Sequence, residues 1–125
     1  VILEIGTTAG ATDFKYSTDT LEAPACSKIK LRFMNNTDPK DEIGHNWVLV
    51  KAGQEQSVLA NGIAADDDKD WLDVKDPGII AHTRLIECGQ RHTITFDAPP
   101  PGTYVFLCTF PEHYAGGMHG ALIIK

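Results

Sequence analysis

Lys28-Ile29-Lys30-Leu31-Arg32-Phe33 alternates basic and apolar residues without a break. A period of two is that of a strand with one face buried and one face in water. Ile29, Leu31 and Phe33 are therefore expected inside, with Lys28, Lys30 and Arg32 outside. Working outward, Val1–Thr8 reads as an earlier strand. His45–Val50, Ile79–Ile86, His92–Phe96, Thr103–Cys108 and Ala121–Lys125 read as later ones. Cys88-Gly89-Gln90 and Ala98-Pro99-Pro100-Pro101-Gly102 are turns by composition. The stretch from Asn35 to Asp41, with Pro39, reads as a polar loop. Gln54–Ala65 is the one predicted helix, and it ends before the charged run Asp66–Asp70. That run reads as a solvated loop and lacks the pattern of a calcium site. Many short strands, Gly/Pro turns and one helix predict an all-β, antiparallel sandwich with Greek-key connections.

The bulk properties agree with one domain over residues 1–125. A chain of this length buries roughly two thirds of its unfolded surface and needs no disulfide. The net charge is −6 and the pI about 5.2. Nucleic-acid binding, which needs clustered Lys and Arg, is excluded on that ground. No apolar run reaches the roughly 18 residues of a membrane helix. Val1 enters a strand pattern at once, so the sequence reads as a mature or trimmed domain, compatible with an anchor upstream of Val1.

Three cysteines leave at least one unpaired within a monomer. Cys108 stands out by its surroundings: Cys108-Thr109-Phe110-Pro111-Glu112-His113-Tyr114-Ala115-Gly116-Gly117-Met118. Cys-x4-His-x4-Met between two strands places a thiolate, an imidazole and a thioether on one loop. Soft sulfur donors with imidazole suit copper, and two His, one Cys and a long axial Met form the electron-transfer site. The second histidine is missing from the loop. Among His45, His82, His92 and His119, only His45 opens a strand and shares its predicted inward face with Trp47. His82 is expected to face solvent, His92 lies beside a turn, and His119 should point away from Met118. The predicted copper ligands are thus His45, Cys108, His113 and Met118.

Other chemistries use less of the pattern. A Cys/His nucleophile pair would leave Met118 and His45 idle and has no orienting acid. Structural zinc prefers Cys and His in C-x2-4-C spacing. A copper chaperone or storage domain would use the same ligands without carrying electrons. A metal-free adhesion sandwich would leave the ligand set unexplained. An oxidase or nitrite reductase would need further copper sites.

Gly44-His45-Asn46-Trp47-Val48-Leu49 and Cys108-Thr109-Phe110-Pro111 resemble the azurin-type cupredoxins. So do Asp68-Lys69-Asp70-Trp71-Leu72 and Ile80-Ala81-His82-Thr83-Arg84-Leu85-Ile86. Within that family the likeness leans to the auracyanins. Four residues separate His113 from Met118, where azurins usually have three, and Pro100-Pro101-Gly102-Thr103-Tyr104 points the same way. The resemblance implies a cupredoxin sandwich of about eight strands with one type 1 blue copper at one end. It implies Gly44 as a weak ligand through its carbonyl, and Asn46 as a hydrogen-bonded tie between the ligand loops. It implies a one-electron carrier, not an enzyme, in a photosynthetic or respiratory chain. Expected partners are a membrane quinol-oxidising complex or a c-type cytochrome, and the expected location is periplasmic or on the outer face of the cytoplasmic membrane. A monomer is expected.

Some expectations concern details. The family usually has Gly where this chain has Glu112, which brings a carboxylate near His113. Backbone N–H groups near Asn46 and Phe110 should donate to the Cys108 sulfur. His113 should be the partly exposed ligand, ringed by Ile43, Phe110 and Pro111 as a docking face. Cys26 and Cys88 should not pair, because the strand directions put them at opposite ends of the sandwich.

Overall fold

The alternation at 28–33 is realised residue by residue. Ile29, Leu31 and Phe33 are at most 1% exposed, while Lys28, Lys30 and Arg32 lie in water. The structure is a computed structural model that describes residues 1–8, 14–37 and 44–125. Among these, the strands are β1 (Ile2–Gly6), β2 (Thr20–Ala23), β3 (Lys28–Met34), β4 (Val48–Val50), β5 (Ile79–His82), β6 (Arg91–Asp97), β7 (Gly102–Leu107) and β8 (His119–Ile124). One sheet has the order β1-β3-β6, the other β2-β8-β7-β4-β5. The predicted polar loop lies in part, and Ile43 wholly, outside the described residues.

Two pairings depart from the antiparallel expectation. β1 runs parallel to β3, and β2 parallel to β8. Each is an edge pair reached by a connection that changes sheets. The chain goes from the first sheet (β1) to the second (β2) and back (β3), and such a crossover returns a strand in the same direction. β2 itself, Thr20-Leu21-Glu22-Ala23, was not anticipated. Its four residues alternate exposed and buried, too short a run to stand out against turns.

The segment 44–50 is buried throughout, so its two faces serve two cores. Trp47 and Leu49 pack with Ile29, Leu31, Phe33, Phe106 and Leu122 between the sheets. Val48 and Val50 face the other way, against Leu107, Leu72 and Val58 of the helix α1 (Glu55–Ala65). The helix roofs that outer face of β4 and β7. Regular pairing begins only at Val48, with an isolated bridge from His45 to Ile86 ahead of it. The strand expected over 79–86 likewise breaks after His82, where Thr83 turns its hydroxyl to the Trp47 N–H at 3.0 Å. The charged run after α1 is a short 3₁₀ turn, Asp67–Lys69, exposed as expected.

β3 and β6 are antiparallel, with Lys28 opposite Asp97 at one end and Met34 opposite Arg91 at the other. Cys26 adjoins the first end and Cys88 the second, roughly 20 Å away at strand spacing. Cys26, Cys88 and Cys108 are all free, as the strand directions required. No described helix is long and apolar enough to cross a membrane.

Candidate metal centre

Three elements deliver the site. His45 stands two residues before Trp47, held by N–H and C=O bonds to Ile86 at 3.0 and 2.9 Å. Cys108 directly follows β7, whose Leu107 pairs with Val48 of β4, so the two ligand segments lie side by side. His113 and Met118 come from the loop that returns to β8. That loop is closed by its own backbone: the Met118 N–H donates to His113 at 3.0 Å and the Cys108 N–H to Met118 at 3.3 Å.

The result is convergence. Cys108 Sγ lies 3.4 Å from His113 Nδ1 and 4.0 Å from His45 Nδ1. The three donor atoms lie within 4.8 Å of one another. Donors bound to one ion at bond lengths near 2.0–2.3 Å stand about 3.3–3.7 Å apart, so the cluster needs only a slight contraction to share a metal. Cys108 and Met118 are fully buried, and His45 and His113 are each 2% exposed.

Burial dominates the electrostatics of the cluster. Burial pushes the Cys108 thiol up to about 12, opposed by hydrogen bonds from the Asn46 and Phe110 backbone N–H groups. Burial, then the neighbouring His113, takes His45 down to about 3. Burial takes His113 down to about 4. Burial thus favours two neutral imidazoles facing a protonated thiol, and a bound cation would favour loss of that proton to solvent. Burial of the thiol and of both imidazoles suits a metal ligand set better than a substrate-accessible Cys/His pair. With Met118 buried on the same loop, the donor set offers a thioether as well and suits copper better than zinc.

Asn46 is the expected tie. Its Nδ2 donates to Thr109 Oγ1 at 2.8 Å, and the Thr109 N–H donates to its Oδ1 at 2.9 Å. His113 corrects the expectation of a partly exposed ligand. Phe14 stacks on its ring at 4.5 Å and Phe110 at 4.6 Å, and this aromatic sandwich excludes water. Phe14 carried no periodic signal, and only the fold brings it over the loop. Phe110 and Pro111 remain half-buried at the surface. Glu112 is exposed and sits at φ 73, in the left-handed region where the family's Gly would be at ease.

The other histidines are elsewhere. His82 is half-buried, with Nδ1 at 3.0 Å from the Thr83 carbonyl, not plainly in solvent as expected. His92 Nδ1 accepts the Arg84 N–H at 3.0 Å. His119 is exposed and packs on Tyr114, turned from the buried Met118.

The family model described as copper binding proteins, plastocyanin/azurin family, matches residues 3–125. The chain belongs to that family. It is 36% identical to auracyanin-B of Chloroflexus aurantiacus over 87% of this chain and 46% of that protein. It is 44% identical to azurin of Pseudomonas aeruginosa over 70% of this chain and 60% of that one. The chain thus spans less than two thirds of the length of these two relatives. Azurin of Pseudomonas fluorescens biotype C is 36% identical over 98% of this chain and 99% of its own. Among solved structures, dithionite-reduced auracyanin of Roseiflexus castenholzii superposes with a TM-score of 0.90, at 36% identity over 99% of this chain and 96% of that one. In this plastocyanin/azurin family member the type 1 copper site is His45, Cys108, His113 and Met118.

Proposed function

We propose that the chain is a single cupredoxin domain over residues 1–125 that carries one electron at a time between redox partners and is not an enzyme. The observation that carries this reading is the convergence of two imidazoles and a thiol within 4.8 Å, all buried, with the buried Met118 tied to His113 and Cys108 through its backbone. Copper bound there would supply one-electron exchange between Cu(II) and Cu(I).

The chain's own residues do the rest. His45 is fixed by Ile86, Cys108 by the end of β7, and the loop by Asn46 and Thr109, so the donors move little between oxidation states. Phe14, Phe110 and Trp71 exclude water: the first two stack on His113, and Trp71 packs edge-on against Phe110 at 5.9 Å. The N–H groups of Asn46 and Phe110 moderate the charge on the sulfur. Gly44 is buried, and its carbonyl is proposed as a weak further ligand. Handing the metal to another protein would require ligands that open to solvent, and burial of all four disfavours a chaperone.

The proposed docking face is the half-buried Phe110 and Pro111 beside His113. Transient redox partners need less than about 1,200 Å² there. The family resemblance supports a membrane quinol-oxidising complex or a c-type cytochrome as partner, a monomeric carrier, and a location outside the cytoplasm. Visible and EPR spectra after copper addition test the central reading. Intense thiolate-to-copper absorption is expected, and a colourless Cu(II) protein would overturn it.

A further inference from the structure

Tyr16 belongs to none of the ligand segments, yet its hydroxyl ends among them. It is 6% exposed, with its ring edge-on to Phe106 at 5.2 Å and to Phe33 at 6.0 Å. Two aromatic neighbours fix the direction of the C–O bond. The hydroxyl donates to the backbone carbonyl of Asn46 at 2.7 Å. Asn46 is 1% exposed, and no backbone N–H among the described residues reaches that carbonyl. The N–H of the same peptide, that of Trp47, donates to Thr83 Oγ1 at 3.0 Å. The Thr83 hydroxyl donates onward to the Arg84 carbonyl at 2.9 Å.

The Asn46–Trp47 peptide is therefore held at both ends by side chains from distant parts of the chain. The Asn46 side chain is held as well, by Thr109. The Asn46 N–H belongs to the preceding peptide, whose His45 carbonyl accepts the Ile86 N–H at 2.9 Å. Holding the following peptide limits rotation at the Asn46 Cα that joins the two, and keeps this N–H directed at the Cys108 sulfur. Burial, with the Cys108 sulfur adding to it, pushes the Tyr16 phenol well above its ordinary range, so the hydroxyl keeps its proton and remains a donor.

Resting on the reading that copper at this site carries electrons, we propose that Tyr16 is a positioning residue of the metal centre. Through the Asn46 carbonyl it aims the Asn46 N–H at the Cys108 sulfur, and so sets how strongly the thiolate donates to the metal. A hydrogen bond to the thiolate withdraws electron density and favours the lower oxidation state. Losing its aim favours Cu(II).

The test is Tyr16→Phe, which removes one oxygen and keeps the ring. In the copper-loaded protein the reduction equilibrium should shift toward Cu(II) by about threefold to tenfold, roughly 30–60 mV, and the thiolate absorption band should move. In the metal-free protein the Asn46 amide should exchange with solvent at least about tenfold faster. Tyr104→Phe is the control. That hydroxyl also donates to a carbonyl, of Pro100, but in the turn at the opposite end, and its loss should leave band and potential unmoved. If Tyr16→Phe lowers stability while band, potential and Asn46 exchange stay as in the wild type, Tyr16 is only packing and the proposal falls. Should Tyr16→Phe not fold, Thr83→Val releases the other end of the same peptide and is read against the same outcomes. A wild type without thiolate absorption would instead overturn the copper reading, and amide exchange in the metal-free protein would still decide the role of Tyr16.

Discussion

Asn46 and Thr109, 63 residues apart in the chain, hydrogen-bond to each other twice, side chain to side chain at 2.8 Å and backbone to side chain at 2.9 Å. Each follows a ligand directly, so the pair locks the His45 segment to the Cys108 loop. Asn46→Ala leaves the buried Thr109 N–H and hydroxyl without partners. An unsatisfied buried group costs about 1–3 kcal/mol, so a loss of roughly 2–4 kcal/mol is expected in denaturant unfolding of the metal-free protein. A loss below about 0.5 kcal/mol would mean that the tie is not structural.

Cys108→Ser should fold and should lack the thiolate-to-copper colour. The core of Ile29, Leu31, Phe33, Trp47 and Phe106 does not depend on the sulfur, whereas the colour does. Circular dichroism and the visible spectrum read the two halves separately, and intense colour retained in this variant would remove Cys108 from the ligand set.

Met118→Gln should keep a coloured site and lower its reduction potential, because a harder axial donor favours Cu(II). Voltammetry on both proteins decides it. An unchanged potential would mean that the Met118 sulfur is not an axial donor.

Stability of the metal-free protein should fall away on both sides of neutral pH. His45 near 3 and His113 near 4 sit below their ordinary 6.5, so below 6.5 the unfolded chain binds more protons than the folded one. Stability then drops as pH falls, by at most about 1.4 kcal/mol per unit for each ring. His92, lowered by burial and then by Arg84 and His82, acts in the same direction. Cys108 near 12 lies above its ordinary 9.0. Above 9.0 the unfolded chain releases a proton that the folded one keeps, so stability drops as pH rises. Chemical denaturation across pH 4–11 should show a plateau between about 6.5 and 9, and the absence of the alkaline fall would contradict burial of a protonated Cys108.

Glu112→Gly should stabilise the protein. A side chain at φ 73 costs about 1–2 kcal/mol, and the entropy of glycine offsets part of that, so a net gain of about 0.5–1 kcal/mol is expected in thermal or denaturant unfolding. Loss of stability would show that the Glu112 side chain makes a compensating contact.

Much of this protein was legible in its residues because the signals are local. The period-two run at 28–33 requires a strand with one buried face. Cys108, His113 and Met118 are close in sequence, so a single strand-to-strand loop brings them together whatever the rest of the chain does. His45 could be chosen by its place at the head of a strand. What brings it to Cys108 is the pairing of Val48 with Leu107, a long-range contact without a local sign. The parallel edges, the closing of Phe14 over His113 and the reach of Tyr16 to the Asn46 carbonyl are of the same kind. Each depends on how the chain crosses between two sheets, and only packing in three dimensions decides which aromatic ends up against which loop.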